Sequence, residues 1–166
     1  QKYEIPEGAR PDTVAEEIFG SPNLDWVILT VAGILNVRNE WPLSNRDLYN
    51  YAHDKYGNSL DSIRFFETKE VKDSNGKLIL PKGKVVDSNF TIPNPTNPSA
   101  TLNPVVGISN FVYETRLNEE KRNINVLRKE YLSEFLDDMR NLMIYSKSSE
   151  RIGDRLIQTE NTNITL

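Results

Sequence analysis

The chain lacks cysteine and nearly lacks histidine, and these two absences exclude whole classes of chemistry. Among its 166 residues there is no Cys and a single His, His53. Without Cys there are no disulfides, no thiolate metal sites and no thiol nucleophile. One His leaves little for a Ser-His-Asp triad and excludes a multi-histidine metal site. We expect His53, isolated on a predicted helix, to have a surface or capping role.

Long apolar runs are also absent. The longest, residues 26–35, is interrupted by Thr30 and Gly33, and it is much shorter than the roughly 20 residues that span a membrane. The 20 Lys+Arg and 24 Asp+Glu give a net charge of −4, and no Lys/Arg block is expected to outweigh its acidic neighbours. Neither a membrane nor a nucleic-acid partner is therefore predicted. The apolar share of 37% predicts a modest core.

Sequence motifs of catalysis are missing as well. The chain has no GxxxxGK[ST] loop, no GxSxG, no HExxH and no EF-hand loop. Asp137 and Asp138 are adjacent, but neighbours on a helix point in different directions. No spacing favours a carboxylate pair for glycoside hydrolysis. We predict that the chain is not an enzyme and uses no cofactor, metal or small-molecule substrate.

What is present indicates an α+β fold that begins with a compact unit, residues 1–58. Tyr3-Glu4-Ile5 alternates apolar and polar side chains, as a short strand does. Pro11 and Gly20 bracket a helix with one apolar face. A second helix, capped by Ser21 and ended by Gly33, is apolar nearly all round and is therefore expected to be buried.

The unit is predicted to close with an extended stretch and a third helix. Residues 39–43 have the pattern of an extended segment. Ser44 then stands three residues before Asp47, in the arrangement of an N-terminal cap, and Gly57 ends the helix. The inner face of this helix is predicted to consist of Leu48, Tyr51, Ala52 and Tyr56.

Residues 59–110 are predicted to be rich in hairpins. A strand over 62–68 is followed by a turn at 73–76, after which residues 78–80 can pair back with it. Four prolines then predict an extended, polyproline-like loop over residues 93–104. They are Pro93, Pro95, Pro98 and Pro104.

Residues 111–146 are predicted to form a β-hairpin and a helix. Alternating residues at 110–117 and 123–127 flank a polar middle, which indicates two strands and a turn. From Glu130 the apolar residues recur at helical spacing. They are Leu132, Phe135, Leu136, Met139, Leu142 and Met143. Residues 147–166 form a polar tail that we expect to be ordered by partners.

The opening of the chain resembles a LysM module. Tyr3-Glu4-Ile5-Pro6-Glu7-Gly8, followed by Asp12-Thr13-Val14-Ala15, has the order of that family's first strand and helix. The resemblance implies a strand–helix–helix–strand unit that closes near Trp41-Pro42-Leu43. Residues with structural roles in it would be Tyr3, Ile5, Gly8, Asp12, Thr13, Val14, Ile18 and Trp26.

LysM modules commonly bind N-acetylglucosamine polymers. In this chain three extra residues, Ala9-Arg10-Pro11, fall where the sugar-contacting loop of the family begins. We therefore expect a protein-binding scaffold. The alternative is a peptidoglycan- or chitin-binding module of a bacterial envelope protein or hydrolase.

A longer run, RPDTVAEEIFGSPNLDWVIL at residues 10–29, resembles the baseplate wedge protein 53 family of T-even-type contractile-tailed phages. Residues 113–126 and the helix through Met143 also resemble that family's C-terminal hairpin and helix, whereas residues 60–110 do not match. Hairpin insertions there are similar to those of cyanophage-type members.

This second resemblance implies a structural protein of the virion tail baseplate, assembled in the bacterial cytoplasm. Together with a small sheath-initiating protein, members of the family clamp a helical core bundle that two larger wedge proteins form. They also help to join neighbouring wedges around the hub. Candidate partner-contacting residues are Trp41, Pro95, Pro98, Phe135, Met139, Met143 and Leu156.

The first testable prediction concerns the polar tail. Residues 147–166 contain too few apolar side chains to collapse alone. Deleting them is expected to leave the melting temperature almost unchanged and to weaken wedge assembly. Hydrogen exchange on the isolated protein measures directly whether the tail is ordered without partners. Strong amide protection in the tail would contradict the prediction.

Overall fold

The computed structural model describes residues 1–97, 99–143, 151–153 and 156–157, the last two ranges by their backbone alone. Contacts divide the chain into two units, residues 1–126 and 127–166. Mixed helices and small sheets confirm the predicted α+β class. The finer predicted division, with boundaries after residues 58, 110 and 146, stays a prediction.

The larger unit contains helices α1 to α5 and strands β1 to β9 among its described residues. The helices are α1 (Pro11–Phe19), α2 (Asp25–Ala32), α3 (Val37–Glu40), α4 (Asn45–Tyr56) and α5 (Asn110–Arg122). The first five strands are β1 (Lys2–Glu4), β2 (Ile63–Thr68), β3 (Val71–Lys72), β4 (Leu78–Leu80) and β5 (Val85–Val86). The others are β6 (Ile92–Pro93), β7 (Thr101–Leu102), β8 (Val105–Ser109) and β9 (Asn123–Asn125).

Helices α1 and α2 carry the centre of the core. Helix α1 begins and ends where the sequence predicts, and α2 ends as predicted but begins later, at Asp25. Gly20 and Gly33 follow them with φ of 81° and 75°, the left-handed conformation that ends many helices. The predicted cap at Ser21 is wrong, because its side chain makes no capping hydrogen bond and a single 3-10 turn, Pro22–Leu24, precedes α2. Fully buried side chains from the two helices are Val14, Ala15, Val27 and Ile28.

Strand β1 forms as predicted, but its partner lies far along the chain. It pairs antiparallel with β9, with Tyr3 opposite Ile124. The predicted closing strand at Trp41–Leu43 is therefore wrong, since those residues follow the short helix α3 and form no strand. Periodicity within a segment gives no information about a pairing that spans about 120 residues, because register depends on tertiary packing.

Helix α4 has the predicted cap. Ser44 Oγ accepts a hydrogen bond from Asp47 N at 3.1 Å, which satisfies one of the unpaired amides of the first turn. Leu48 and Ala52 are buried as predicted, whereas Tyr51 is 45% exposed. The expected extended stretch over 39–43 is wrong at its start, because residues 37–40 form α3.

The middle of the chain is a three-stranded sheet with two small hairpins. Strand β2 lies between β5 and β8 in an antiparallel sheet. The turn at 73–76 is confirmed, but β4 pairs with β3, so the expected pairing with β2 is wrong. The two ends of this segment meet, since Phe111 N donates to Leu60 O and Asn110 N donates to Ser62 O, both at 3.1 Å.

The proline-rich loop turns back on itself, which corrects the expected extended course. Strands β6 and β7 pair antiparallel, and Asn94 N donates to Ala100 O at 2.8 Å. The side chain of Asn94 also accepts from Thr96 N, so local polar turns fold the described residues of the loop. Pro98 lies outside the described residues.

The predicted hairpin over residues 110–127 is wrong. Residues 110–122 form helix α5, and only the following β9 is a strand. Ser109 Oγ accepts from Val112 N at 3.3 Å and so caps the helix. The alternation at 110–117 misleads because the buried face of α5 is polar.

The smaller unit contains the predicted amphipathic helix. A 3-10 turn, Lys129–Tyr131, leads into α6 (Leu132–Leu142). Its stripe residues Leu132, Phe135, Leu136 and Met139 are half-buried, and Met143 is 67% exposed. In the predicted tail, β10 (Arg151–Gly153) and β11 (Leu156–Ile157) pair antiparallel, and the other residues of 144–166 lie outside those described.

The second prediction contrasts the two tryptophans. Trp41 is 7% exposed and its indole Nε1 donates to Ala9 O at 2.8 Å. Trp26, which belongs to the helix expected to be buried, is half-buried. Trp41→Ala is expected to lower the free energy of unfolding by about 3–5 kcal/mol, and Trp26→Ala by less. Chemical denaturation measures both. An equal or larger loss for Trp26→Ala would contradict this ranking.

Candidate interaction surface

Helix α5 turns a polar face into the protein. Glu114, Asn118 and Arg122 are 5%, 2% and 8% exposed. Their spacing of four residues places them one above another on the same side of the helix. Buried polar groups are tolerated when they are hydrogen-bonded, and each of these three binds a different earlier segment of the chain. We call this set the α5 polar stripe.

The last member of the stripe fixes the end of β1. Arg122 Nη1 donates to Ile5 O at 3.4 Å, and Nη2 donates to Glu7. The hydrogen bond from Arg122 holds the pKa of the Glu7 carboxyl below its usual value. The backbone N–H of Asn45 donates to the same carboxylate and lowers this pKa further. Arg122 thereby joins the N-terminal strand to α5, and Glu7 extends the connection to the start of α4.

The central member of the stripe substitutes for a backbone partner. Asn118 Oδ1 accepts from Leu43 N at 2.7 Å, and Asn118 Nδ2 donates to Leu43 O at 2.9 Å. A side-chain amide has one acceptor and one donor group in the geometry of a peptide, so it satisfies both backbone groups of a buried residue. Asn118 therefore fixes the segment between α3 and α4 without a strand.

The first member of the stripe binds the end of α4. Glu114 Oε1 accepts from Lys55 Nζ at 2.9 Å and from the Tyr56 hydroxyl at 2.6 Å. Burial alone would raise the pKa of Glu114, but the hydrogen bonds from Tyr56 and Lys55 and the positive charge of Lys55 hold it below its usual value. The same contacts raise the pKa of Lys55 and of Tyr56.

An open groove of about 860 Å³ runs between α4 and α5, above the stripe. Leu48 lines it together with the more exposed Tyr51 and Leu117, which are 45% and 36% exposed. Its charged lining carries both signs, including Arg38, Lys55, Lys121, Asp47 and Glu120. Apolar residues with a mixed polar rim are the usual composition of a protein–protein contact.

The residues expected from the LysM resemblance lie mainly around β1 and α1. Ile5 and Val14 are buried, Tyr3 and Ile18 are half-buried, and Thr13 is exposed. The Tyr3 hydroxyl donates to Glu17 Oε2 at 2.8 Å, and burial together with this contact raises its pKa to about 12.

The three other LysM-like residues are also placed. Gly8 has a φ of 68°, which favours glycine. Asp12 Oδ1 accepts from Thr13 N at 2.9 Å in the first turn of α1. Trp26 lies half-buried in α2.

The predicted partner-contacting residues are not gathered into one surface. Trp41 belongs to the core of the larger unit, and little of its indole is left for a partner. Pro95 is half-buried in the loop between β6 and β7. Phe135, Met139 and Met143 follow the apolar face of α6. Pro98 and the side chain of Leu156 lie outside the described residues. Partner contact by these residues stays a prediction.

Sequence reasoning missed the α5 polar stripe and the groove above it. The polar residues at 118–122 have the composition of a hairpin turn. The spacing of Glu114, Asn118 and Arg122 is the pattern that indicates a helix, but searches for amphipathic helices follow apolar residues, and here the inward face is polar.

The described part of the chain offers no site for a metal and no membrane span. No group of three or more His, Asp or Glu side chains is arranged there to hold a metal ion. None of its helices combines the length and apolar character needed to cross a bilayer.

Residues from β1 to the start of β3 match a family of structural proteins of phage baseplates. The family is described as base plate wedge protein 53, and the match covers residues 1–71. It confirms the resemblance indicated by residues 10–29 and supports a structural role in a phage baseplate, in the tail of the virion. The match also includes residues 60–71, for which the sequence alone indicated no counterpart in the family. The LysM-like and cyanophage-type details, and the resemblance of the residues beyond 71, stay predictions. No curated protein matches the chain.

The third prediction concerns pH. The pKa of Glu114 lies below its ordinary value of 4.5 in the folded protein, so the unfolded chain binds more protons in this range. The stabilisation is complete above about pH 4.5 and is lost as the pH falls through the folded pKa. Glu114→Gln is therefore expected to be less stable at pH 7 and to lose less stability on acidification.

The matched control is Glu16→Gln, because Glu16 is exposed and its carboxylate makes no ion pair within the described residues. Urea unfolding at a series of pH values from 7 to 3 measures how steeply the free energy of unfolding falls with pH in each protein. The pKa of Glu7 is also lowered in the folded protein, so Glu7 keeps part of the pH dependence of stability in every variant. The slope for Glu114→Gln is therefore expected to be smaller than that of wild type. Parallel curves for Glu114→Gln and wild type would contradict the assignment.

Proposed function

We propose that this chain is a wedge subunit that clamps the helical core bundle of the wedge and links neighbouring wedges and the sheath initiator. The observation that carries the proposal is the match of residues 1–71 to the base plate wedge protein 53 family. Assembly takes place in the host cytoplasm, for which a chain without Cys is suited.

The contacts of α5 support this role. A clamp must hold several surfaces in fixed relation, and the α5 polar stripe joins α5 to the end of β1, to Leu43 and to the end of α4. The groove between α4 and α5 is open and has an apolar lining with charges of both signs. It offers a surface for a helix of the core bundle on a rigid support.

The geometry near α1 favours a scaffold over a sugar site. The LysM resemblance would place the start of its sugar-contacting loop at Ala9–Pro11. There Ala9 O accepts from the Trp41 indole, Ala9 N donates to Pro6 O at 3.1 Å, and Pro11 begins α1. These backbone groups are therefore engaged within the chain.

The fourth prediction tests the groove in reconstituted wedges. The double variant Tyr51→Ala/Leu117→Ala removes the two most exposed apolar side chains of the groove lining. Interface truncations of this kind each cost about 1–2 kcal/mol, so incorporation into wedges is expected to weaken at least roughly tenfold. Sedimentation with the purified wedge proteins measures it.

Val112→Ala is the matched control, since Val112 is 40% exposed on α5 and does not line the groove. It is expected to assemble like wild type. Normal incorporation of the groove variant would exclude the groove as the contact, and failure of the wild-type chain to join any wedge would overturn the proposed function.

Calorimetric titration with chitin oligomers and muropeptides distinguishes the alternative. No binding tighter than about 100 μM is expected. Tighter binding would favour the carbohydrate-binding function.

A further inference from the structure

The segment from Lys69 to Val86, which we call the basic arm, has a charge opposite to that of the whole chain. It contains five Lys against one Glu and one Asp, a net charge of +3, while the chain carries −4. The expectation that no basic block outweighs its acidic neighbours is therefore wrong for this segment. The lysines are spread over strands β3 to β5 and the adjoining turns, and two of them, Lys69 and Lys82, line one groove.

The acidic groups of this region are already engaged. Glu70 pairs with Lys72 at 2.6 Å, and Glu67 accepts two hydrogen bonds from Arg116 at 2.7 and 2.8 Å. Asp73 accepts from the backbone amides of its own turn. Four of the five lysines of the arm consequently have no ion-pair partner within the described residues. They are Lys69, Lys77, Lys82 and Lys84.

The turn that presents two of these lysines is fixed by one buried side chain. Thr68 is 2% exposed; its Oγ1 donates to Pro81 O at 2.7 Å and accepts from Lys84 N at 3.1 Å. Gly83 N donates to Thr68 O at 2.9 Å, and Gly83 has a φ of 87°, which L side chains rarely adopt. The positions of Lys82 and Lys84 are thus set before any partner binds.

A groove of about 580 Å³ lies beside this turn. Lys69 and Lys82 line it together with Val106, which is 36% exposed. The lining also contains Glu67 and Glu70, whose charges are neutralised by Arg116 and Lys72 respectively. The free charge at the groove is therefore positive, and an anionic side chain entering it meets two ammonium groups beside an apolar wall.

The arm also exposes aliphatic surface. Leu78 and Ile79 are 49% and 48% exposed on β4, and Val85 is 69% exposed on β5. Leu78 and Ile79 are neighbours on a strand and face opposite sides of it, so the arm offers a partner exposed aliphatic side chains together with its lysines. The arm has neither Arg nor an aromatic residue, the side chains that dominate base and phosphate recognition.

We propose that the basic arm binds an acidic segment of a partner protein that also carries aliphatic side chains. Its carboxylates meet the lysines of the arm and groove, and its aliphatic residues cover Leu78, Ile79 and Val85. The inference rests on this surface alone and stands whether or not the chain occupies a baseplate wedge, and most of the arm lies beyond the residues that match the family.

The experiment is an NMR titration of the isotope-labelled full chain with a synthetic peptide of alternating Glu and Leu. Amide shifts confined to the arm and its groove are expected, with affinity that falls as salt screens the charges. Lys77→Glu/Lys82→Glu should bind roughly tenfold more weakly. Leu78→Ser/Ile79→Ser should also weaken binding, and its amide spectrum shows whether the fold is kept.

The matched charge control is Lys2→Glu/Arg46→Glu, which changes the net charge equally at exposed cations outside the arm and should bind like wild type. Three results would overturn the proposal. They are equal binding of poly-glutamate without leucine, tighter binding of single-stranded DNA or anionic vesicles than of the peptide, and shifts located outside the arm.

Discussion

The larger unit depends on one constraint, which is that a helix with a polar inner face needs partners for its buried polar and charged side chains. Leaving a buried carboxylate or guanidinium unpaired is strongly destabilising, so α5 is acceptable only where Glu114, Asn118 and Arg122 meet their partners. Those partners come from the end of α4, from Leu43 and from the end of β1. The position of α5 and the course of the N-terminal segments are therefore determined together.

Such contacts specify geometry more than they add stability. An apolar helix face tolerates small rotations, because apolar contacts are non-directional, whereas the pair of hydrogen bonds between Asn118 and Leu43 fits one register. Buried ion pairs contribute little net free energy after desolvation, and their best-attested use is to fix one arrangement. In a chain with a modest apolar share this is a direct way to hold several segments at defined positions.

Local features were predicted well and non-local ones were not. The ends of α1, α2 and α4 follow from Pro11, Gly20, Gly33 and Ser44, because caps and stops act within a few residues. The pairing of β1 with β9 was missed since no local pattern encodes it. Helix α5 was missed because its inward residues are polar. The folded course of the proline-rich loop was missed because its Asn side chains form turns that bend the loop back. The family resemblance of residues 10–29 was visible in the sequence. The groove of the candidate surface was not, because it exists only after α4 and α5 meet.

Within the larger unit, the segment between α4 and α5 begins and ends at one place. Backbone hydrogen bonds join Leu60 to Phe111 and Ser62 to Asn110, and Glu67 of β2 pairs with Arg116 of α5, so the base of this segment of about fifty residues is held against α5. Because the entropic cost of closing a loop depends only weakly on its length, a longer or shorter chain between β3 and β7 would leave the hydrogen bonds of the α5 polar stripe in place. The part of the chain that carries the basic arm can therefore differ in length without disturbing the contacts that position α5.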